Sequence, residues 1–87
     1  MNCVGIDVSK GKSMIAVMRP FGEVVVSPFE VRHTASELSE LARRLKSLNG
    51  ETRVVMEATG NYHAPVAKQL HDAGLYVSVV NAKLVHG

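Results

Sequence analysis

Two hydrophobic periods follow one another along this chain, and their order restricts the fold more than any other feature. In residues 3–8, Val4, Ile6 and Val8 alternate with Cys3, Gly5 and Asp7 at the period of a strand, and the segments 13–18 and 23–31 are also predicted as strands. Pro28 lies in the third run and has no backbone N–H to donate, so this strand is expected at a sheet edge. Short turns join the runs, which predicts an antiparallel meander.

The period then changes to that of a helix. Thr34 and Glu37 have the spacing of a capping box, in which Thr34 caps the helix and Glu37 reaches back to it. Leucines follow at helical intervals, at positions 38, 41, 45 and 48. Gly50 occupies the place of a glycine just after a helix end. The first helix is therefore expected to end shortly before Gly50.

The last third of the chain repeats this change of period. Strands are predicted at residues 52–57 and 75–80, with a second helix at 62–73 between them. Pro65 fits this helix only in its first turn, and Gly74 ends it. The predicted order is β-β-β-α-β-α-β, and right-handed crossovers place the fourth strand parallel to the first. The fold class is therefore α/β with a mixed five-stranded sheet.

Composition excludes several classes of protein. The 87 residues suffice for one small domain, and a net charge of +2 is too weak to establish nucleic-acid binding by itself. Cys3 is the only cysteine, which excludes an internal disulfide, argues against a structural zinc site and favours a reducing, cytoplasmic compartment. No apolar run approaches the roughly 18 residues of a membrane span, so no membrane partner is expected.

Two carboxylates occupy matching positions in the predicted sheet. Asp7 lies near the carboxyl end of the first strand, and Glu57 is the last residue of the fourth. On neighbouring parallel strands they would lie about 5 Å apart, within reach of one shared divalent ion such as Mg²⁺. Taken singly, Asp7 also suits a cap of the following turn, and Glu57 a solvated strand end. Together, the two positions favour a catalytic metal site.

Basic residues near the same edge are candidates for binding a nucleic-acid backbone. Lys10 and Lys12 follow the first acid in the sequence and are predicted to contact the phosphates of such a backbone. Arg32 is among the other cations that phosphates could meet. The basic residues within 43–46 are instead interpreted as a solvated helix face, supported by an ion pair from Glu40 to the arginine four residues on.

Other polar residues are interpreted as structural. Thr59 and Asn61 are predicted to cap the second helix. Ser9 and Ser13 have no neighbouring base in the sequence that would mark a catalytic triad. No two histidines have the helical spacing of a metal-binding pair, so each is expected at the surface or at a helix end. The histidines are His33, His63, His71 and His86.

Three segments resemble a known family. Residues 5–10, Gly-Ile-Asp-Val-Ser-Lys, resemble the opening motif of the DEDD transposases of bacterial insertion sequences. Residues 57–62, Glu-Ala-Thr-Gly-Asn-Tyr, are similar to that family's second motif, and residues 75–81 are similar to the strand that follows it. The family consists of RuvC-like recombinases guided by a bridge RNA, and the Piv-type DNA invertases are related to it.

The resemblance implies roles for the two acids. It implies a RuvC-like, ribonuclease H-like domain with sheet order 3-2-1-4-5, in an enzyme that uses Mg²⁺ or Mn²⁺ to cleave DNA and transfer strands. Asp7 matches the family's first metal-binding acid and Glu57 its second. The third and fourth acids, and a domain with a catalytic serine, belong to a downstream region. Residues 1–87 are therefore expected to be the N-terminal part of the catalytic domain, inactive alone.

The resemblance also implies partners. The full-length bacterial protein is expected in the cytoplasm, bound to DNA and to a guide RNA, and as a homo-oligomer. Base pairing to the guide would select the target, so the domain itself needs no base-reading motif.

Two alternative functions remain open from the sequence. Actin-like sugar kinases and ATPases share the β-β-β-α-β-α-β order, but their phosphate-binding turn places a glycine two residues after the aspartate. Here Val8 and Ser9 follow Asp7, and the first glycine is Gly11. The second alternative is a non-catalytic assembly module, in which the third strand or the first helix pairs with another copy.

Overall fold

A mixed β-sheet with two helices forms the part of the chain that the structure describes. The computed structural model describes residues 1–58 and 60–81. The elements in chain order are β1 (Asn2–Ser9), β2 (Lys12–Arg19), β3 (Glu23–Arg32), α1 (Ala35–Lys46), β4 (Thr52–Ala58), α2 (Ala64–Asp72) and β5 (Tyr76–Asn81). The predicted element order is confirmed, and each strand lies within one or two residues of its predicted position.

The sheet has the strand order β3-β2-β1-β4-β5, which confirms the predicted order 3-2-1-4-5. β1 pairs antiparallel with β2 and parallel with β4. β2 pairs antiparallel with β3, and β4 parallel with β5. β3 therefore lies at an edge, as Pro28 predicts. The carboxyl ends of β1, β3 and β4 and the amino end of β2 all meet at the same edge of the sheet.

Both helices pack on one face of the sheet. Alternate residues of each central strand point into this core, and the leucines of α1 cover them. The core residue Ile15 of β2 and Leu41 of α1 are at most 1% exposed. Burying a side chain of this kind contributes about 1.5–3 kcal/mol to stability. The opposite face of the sheet carries exposed side chains, among them Met14 and Val55.

The first helix ends earlier than the sequence predicts. α1 stops at Lys46, and Ser47 caps it. The Ser47 N–H is shared between the carbonyls of Arg43 and Arg44, at 3.1 and 3.2 Å, and the Ser47 hydroxyl also donates to the Arg44 carbonyl, at 2.7 Å. Leu48 lies beyond the helix yet packs against the core. Gly50 has a φ of 84° and serves the turn before β4 rather than the helix end.

The cap of α1 differs from the predicted capping box in one partner. Thr34 Oγ1 accepts the Glu37 backbone N–H at 3.3 Å, as predicted. The Glu37 carboxylate, however, accepts the backbone N–H of Arg32 at 3.1 Å rather than reaching back to Thr34. The bond ties the helix start to the end of β3.

The second helix begins later than predicted, at Ala64, with Pro65 in its first turn. Asn61 contributes its carbonyl, which accepts the Ala64 N–H at 3.3 Å, so its predicted side-chain cap is wrong. The residue at the cap position, His63, makes no capping bond through its side chain. The predicted cap Thr59 lies outside the described residues. Within those residues, neither helix is both long and apolar enough to cross a membrane.

Candidate functional site

Asp7 and Glu57 face each other across neighbouring parallel strands. They are direct partners in the register of β1 and β4. Both are exposed, on the face opposite the helices, since the residues on either side of each are buried. Strands of one sheet lie about 4.8 Å apart, so the two side chains leave the sheet side by side. The expectation that the two acids meet at one edge agrees with this register.

Neither acid supports the local fold. The alternative that Asp7 caps the turn after β1 is wrong, because the Ser9 hydroxyl donates to the Lys12 carbonyl at 3.1 Å and holds that turn. Within residues 1–58 and 60–81, neither carboxylate has a hydrogen bond or an ion pair. Two like charges without partners at this spacing repel each other, and a cation between them would relieve that repulsion.

A depression in the open face borders the two acids. Its volume is about 330 Å³. Besides the two acids, the residues that line it on the open face of the sheet are Gly5, Met14, Ala16, Pro28 and Val55. A Cβ added at Gly5 would meet no atom within 4 Å, so the absence of a side chain there leaves open space. The acids therefore stand at the border of an apolar hollow rather than on a flat surface.

The predicted DNA-binding lysines lie at the same sheet edge. Lys10 is exposed in the turn between β1 and β2. Lys12 pairs with Ser9 in the register and forms an exposed ion pair with Glu30, at 3.5 Å. An exposed pair of this kind contributes at most about 1 kcal/mol, so a phosphate could displace Glu30 at little cost.

A serine–histidine hydrogen bond lies beside this edge, and the sequence gives no sign of it. Ser13 Oγ and His33 Nε2 are 2.7 Å apart. Ser13 is 2% exposed, on the face that the helices cover. Burial lowers the pKa of His33, so the neutral imidazole is favoured. The partners are 20 residues apart, and only the pairing of β2 with β3 brings them together.

The basic face of α1 is solvated, but its ion pair is not the predicted one. Glu40 binds Arg43, whose Nε donates to its carboxylate at 3.0 Å. This hydrogen bond lowers the pKa of Glu40 and raises the pKa of Arg43. Arg44 instead lies over the ring of Phe29, 4.3 Å from its centroid. The predicted pair between Glu40 and Arg44 is therefore wrong.

The donor set at Asp7 and Glu57 fits a hard divalent cation. Carboxylate oxygens suit Mg²⁺ and Mn²⁺, and Mg²⁺ retains several waters beside one or two protein carboxylates. The described residues contain no group of three or more His, Cys, Asp or Glu side chains placed to hold a metal ion. Two carboxylates with open coordination positions fit a water-rich ion and not the closed tetrahedral site of zinc.

Comparisons with solved structures identify the fold. RuvC from Thermus thermophilus, in complex with a Holliday junction substrate, matches 98% of this chain and 67% of its own, with 15% identity and a TM-score of 0.66. A second T. thermophilus RuvC structure matches 93% of this chain and 64% of its own, with 17% identity and a TM-score of 0.57. The fold is thus RuvC-like and ribonuclease H-like.

The same fold occurs in a sugar-binding protein. A ROK family protein from Streptococcus pneumoniae in complex with sucrose has a TM-score of 0.56 and 16% identity, over 93% of this chain and 34% of its own. At such low identity, these likenesses concern the fold alone. No curated protein shows significant similarity to the chain.

A comparison with protein families distinguishes between the functions that proteins of this fold can have. The model of the DEDD transposases of the IS110 type, described as transposase, matches residues 4–87. The match includes both acids, the turn with Lys10 and Lys12, and the described strands on either side of them. It favours neither a sugar kinase nor an ATPase. The chain belongs to the DEDD transposase family of the IS110 type.

Proposed function

We propose that Asp7 and Glu57 bind a divalent cation, Mg²⁺ or Mn²⁺, in the site where a transposase cleaves DNA and transfers strands. The observation that carries this proposal is the direct register of two unpartnered carboxylates on neighbouring parallel strands. A capping or ion-pairing role would give each acid a partner, and the described residues provide none. The family match and the RuvC-like fold support a DNA-processing reaction.

Each part of the site has a separate task in this proposal. Asp7 and Glu57 hold the cation in place through oxygen atoms on two rigid strands. When bound, the cation supplies Lewis-acid stabilisation of the negative charge that develops on a phosphodiester. Lys10 and Lys12 bind the DNA backbone through its phosphates, which positions a strand without reading its sequence. The open face lets the strand approach, since no helix covers it in the described part of the chain.

Partners follow from the same proposal. DNA is the substrate, and the RuvC neighbour is bound to a Holliday junction. We propose that a guide RNA selects the target by base pairing, that the whole transposase is a cytoplasmic homo-oligomer in bacteria, and that these residues form the N-terminal part of its RuvC-like catalytic domain. The chain spans 67% and 64% of the two RuvC chains, so the complete activity belongs to this proposal.

A Mn²⁺ titration followed by NMR tests the proposed metal site. Paramagnetic Mn²⁺ should broaden the amide signals at the carboxyl ends of β1 and β4 before any others. Asp7→Asn and Glu57→Gln should each weaken binding by more than about tenfold, because each removes one of two protein ligands.

Glu51→Gln is the matched control for the metal site. Glu51 precedes β4 at the opposite sheet edge, where it pairs with Arg53 at 3.3 Å. This variant should bind Mn²⁺ like the unaltered chain. Broadening that starts elsewhere, or that persists in both Asp7→Asn and Glu57→Gln, would show that the two acids are not the site.

A further inference from the structure

Arg32 lies on the open face, one row beyond the two acids. In the sheet register, Asp7 pairs with Met14, and Met14 with Glu30. The next row on the same face, two residues nearer the edge, joins Ser9, Lys12 and Arg32. Directly paired residues point to the same face, so Arg32 shares the face of Asp7. Two strand spacings and two residue rises separate Arg32 from Asp7, which is about 12 Å between Cα atoms.

Unlike most of the other described lysines and arginines, Arg32 and Lys10 have no acidic partner within residues 1–58 and 60–81. The other described cations are engaged in ion pairs or on rings, with one exception. The engaged cations are Lys12, Arg19, Arg43, Arg44, Arg53 and Lys68. The exception, Lys46, lines a hollow with Glu51 and Leu75 at the opposite edge. Among the described residues, the free cations at the edge of the two acids are thus Lys10 and Arg32.

Hydrogen bonds fix the backbone that carries these two cations. The Arg32 N–H donates to the Glu37 carboxylate at 3.1 Å. The N–H of His33 donates to the carbonyl of Gly11 at 3.0 Å, which ties the end of β3 to the turn that bears Lys10. The 2.7 Å contact between Ser13 and His33 makes a second tie between the same segments. The two cations therefore extend from one hydrogen-bonded unit.

We propose that Lys10 and Arg32 form a phosphate-binding pair for the DNA strand that reaches Asp7 and Glu57. This inference rests on the proposed function, and it assigns a role to Arg32 that the family motifs do not include. A guanidinium binds a phosphate through two parallel hydrogen bonds, and an arginine without an ion pair gives up no partner to do so. With a rise of about 3.4 Å per nucleotide, the 12 Å spacing places its phosphate a few nucleotides from the acids.

DNA binding at several salt concentrations tests this pair. The probe is a fluorescein-labelled duplex of about 20 base pairs, and the measurement is fluorescence anisotropy without divalent metal. Arg32→Gln and Lys10→Gln should each weaken binding about eightfold at about 0.1 M salt and make the log–log salt slope shallower by about 0.9. Arg32→Lys should restore the slope, because it keeps the charge.

The matched control is Arg43→Gln, which removes one positive charge from α1, on the covered side of the sheet. Its salt slope should equal that of the unaltered chain, and ¹H–¹⁵N spectra of all variants should show the same fold. An Arg32→Gln variant that behaves like Arg43→Gln overturns the inference.

The inference and the proposed function fail in different measurements. If Arg32→Gln and Lys10→Gln leave DNA binding unchanged while Mn²⁺ still binds at Asp7 and Glu57, the phosphate-binding inference fails and the proposed metal site is unaffected. Absence of Mn²⁺ binding at Asp7 and Glu57 removes the metal site, whatever the DNA result. Absence of DNA binding by the unaltered chain at about 50 mM salt overturns the phosphate pair directly.

Discussion

The two faces of the sheet differ in how far they bury the side chains of the same strands. In β1, Val4 and Ile6 are 1% and 2% exposed beneath the helices. Gly5 and Asp7 alternate with them and point to solvent. A substitution on the covered face leaves a cavity in a close-packed interior or overpacks it, whereas a substituted side chain on the open face is exposed to solvent. We infer that the covered face carries the stability of the domain and the open face its chemistry.

The largest expected effect compares two neighbouring residues of β4. Met56 is fully buried on the covered face, and Val55 is 47% exposed on the open face. Met56→Ala should lower the free energy of unfolding by about 2–5 kcal/mol, because it leaves a cavity. Val55→Ala should lower it by less than about 1 kcal/mol, through strand preference alone. Urea denaturation followed by circular dichroism measures both, and equal losses would contradict the division between the faces.

Gly5→Val tests the open face by adding a side chain where the sheet has room. A Cβ at this position meets no atom within 4 Å, and valine favours strands more than glycine does. The free energy of unfolding should rise by up to about 1 kcal/mol. The new side chain would partly fill the depression beside Asp7, so Mn²⁺ or DNA binding should weaken while stability increases. A loss of stability would show that the open face is packed more closely than the structure indicates.

The acids themselves should contribute nothing favourable to stability. At about 5 Å in water, two unit charges repel by about 0.8 kcal/mol, so Asp7→Asn should raise the free energy of unfolding by up to this amount at pH 7. Mn²⁺ should stabilise the unaltered chain more than Asp7→Asn at the same concentration, because the variant binds the ion more weakly. As a control, Asp72→Asn breaks an exposed pair with Lys68 and should lower stability slightly. Destabilisation by Asp7→Asn without metal would indicate a structural role.

Most of this division between faces can be predicted from the sequence. The alternation in β1 separates Val4, Ile6 and Val8 from Gly5 and Asp7, and the structure has the same separation. The period of two fixes the face, and right-handed crossovers place the fourth strand beside the first. The full strand order rests on this pattern together with the family resemblance. The expectation that the two acids share one edge follows from both, whereas their direct register comes from the structure and their metal binding stays a prediction.

Contacts between distant segments are what the sequence does not predict. Ser13 meets His33 because β2 and β3 pair, and no local pattern marks that bond. In the segment after α1, the Asn2 side-chain amide donates to the Asn49 carbonyl at 2.8 Å, across 47 residues, and no local pattern marks this bond either. Helical spacing allows Glu40 either of two arginine partners, and the stacking of Arg44 on Phe29 leaves Arg43 for the ion pair.

The smallest expected effect is a pH dependence from His33, at the border between the two faces. Burial lowers the pKa of this imidazole in the folded chain below its ordinary value of 6.5. The histidine of the unfolded chain therefore binds a proton more readily than that of the folded chain. The contribution of neutral His33 to the free energy of unfolding is complete above about pH 6.5 and is lost as the pH falls towards the pKa of the folded chain. The lowered pKa values of Glu40 and Asp72 act below the ordinary values of 4.5 and 3.8, outside this window.

Urea denaturation at pH 7.5 and pH 5.5 measures the contribution of His33. The unaltered chain should lose a small part of its stability at the lower pH, and His33→Gln, which can still bond Ser13, should lose less. His71→Gln is the control, because His71 is exposed and its replacement leaves the bond between Ser13 and His33 intact. If His33→Gln and the unaltered chain lose equal stability, the histidine does not titrate with folding. The bond to Ser13 would then join β2 to the end of β3 at either pH, with no proton linked to it.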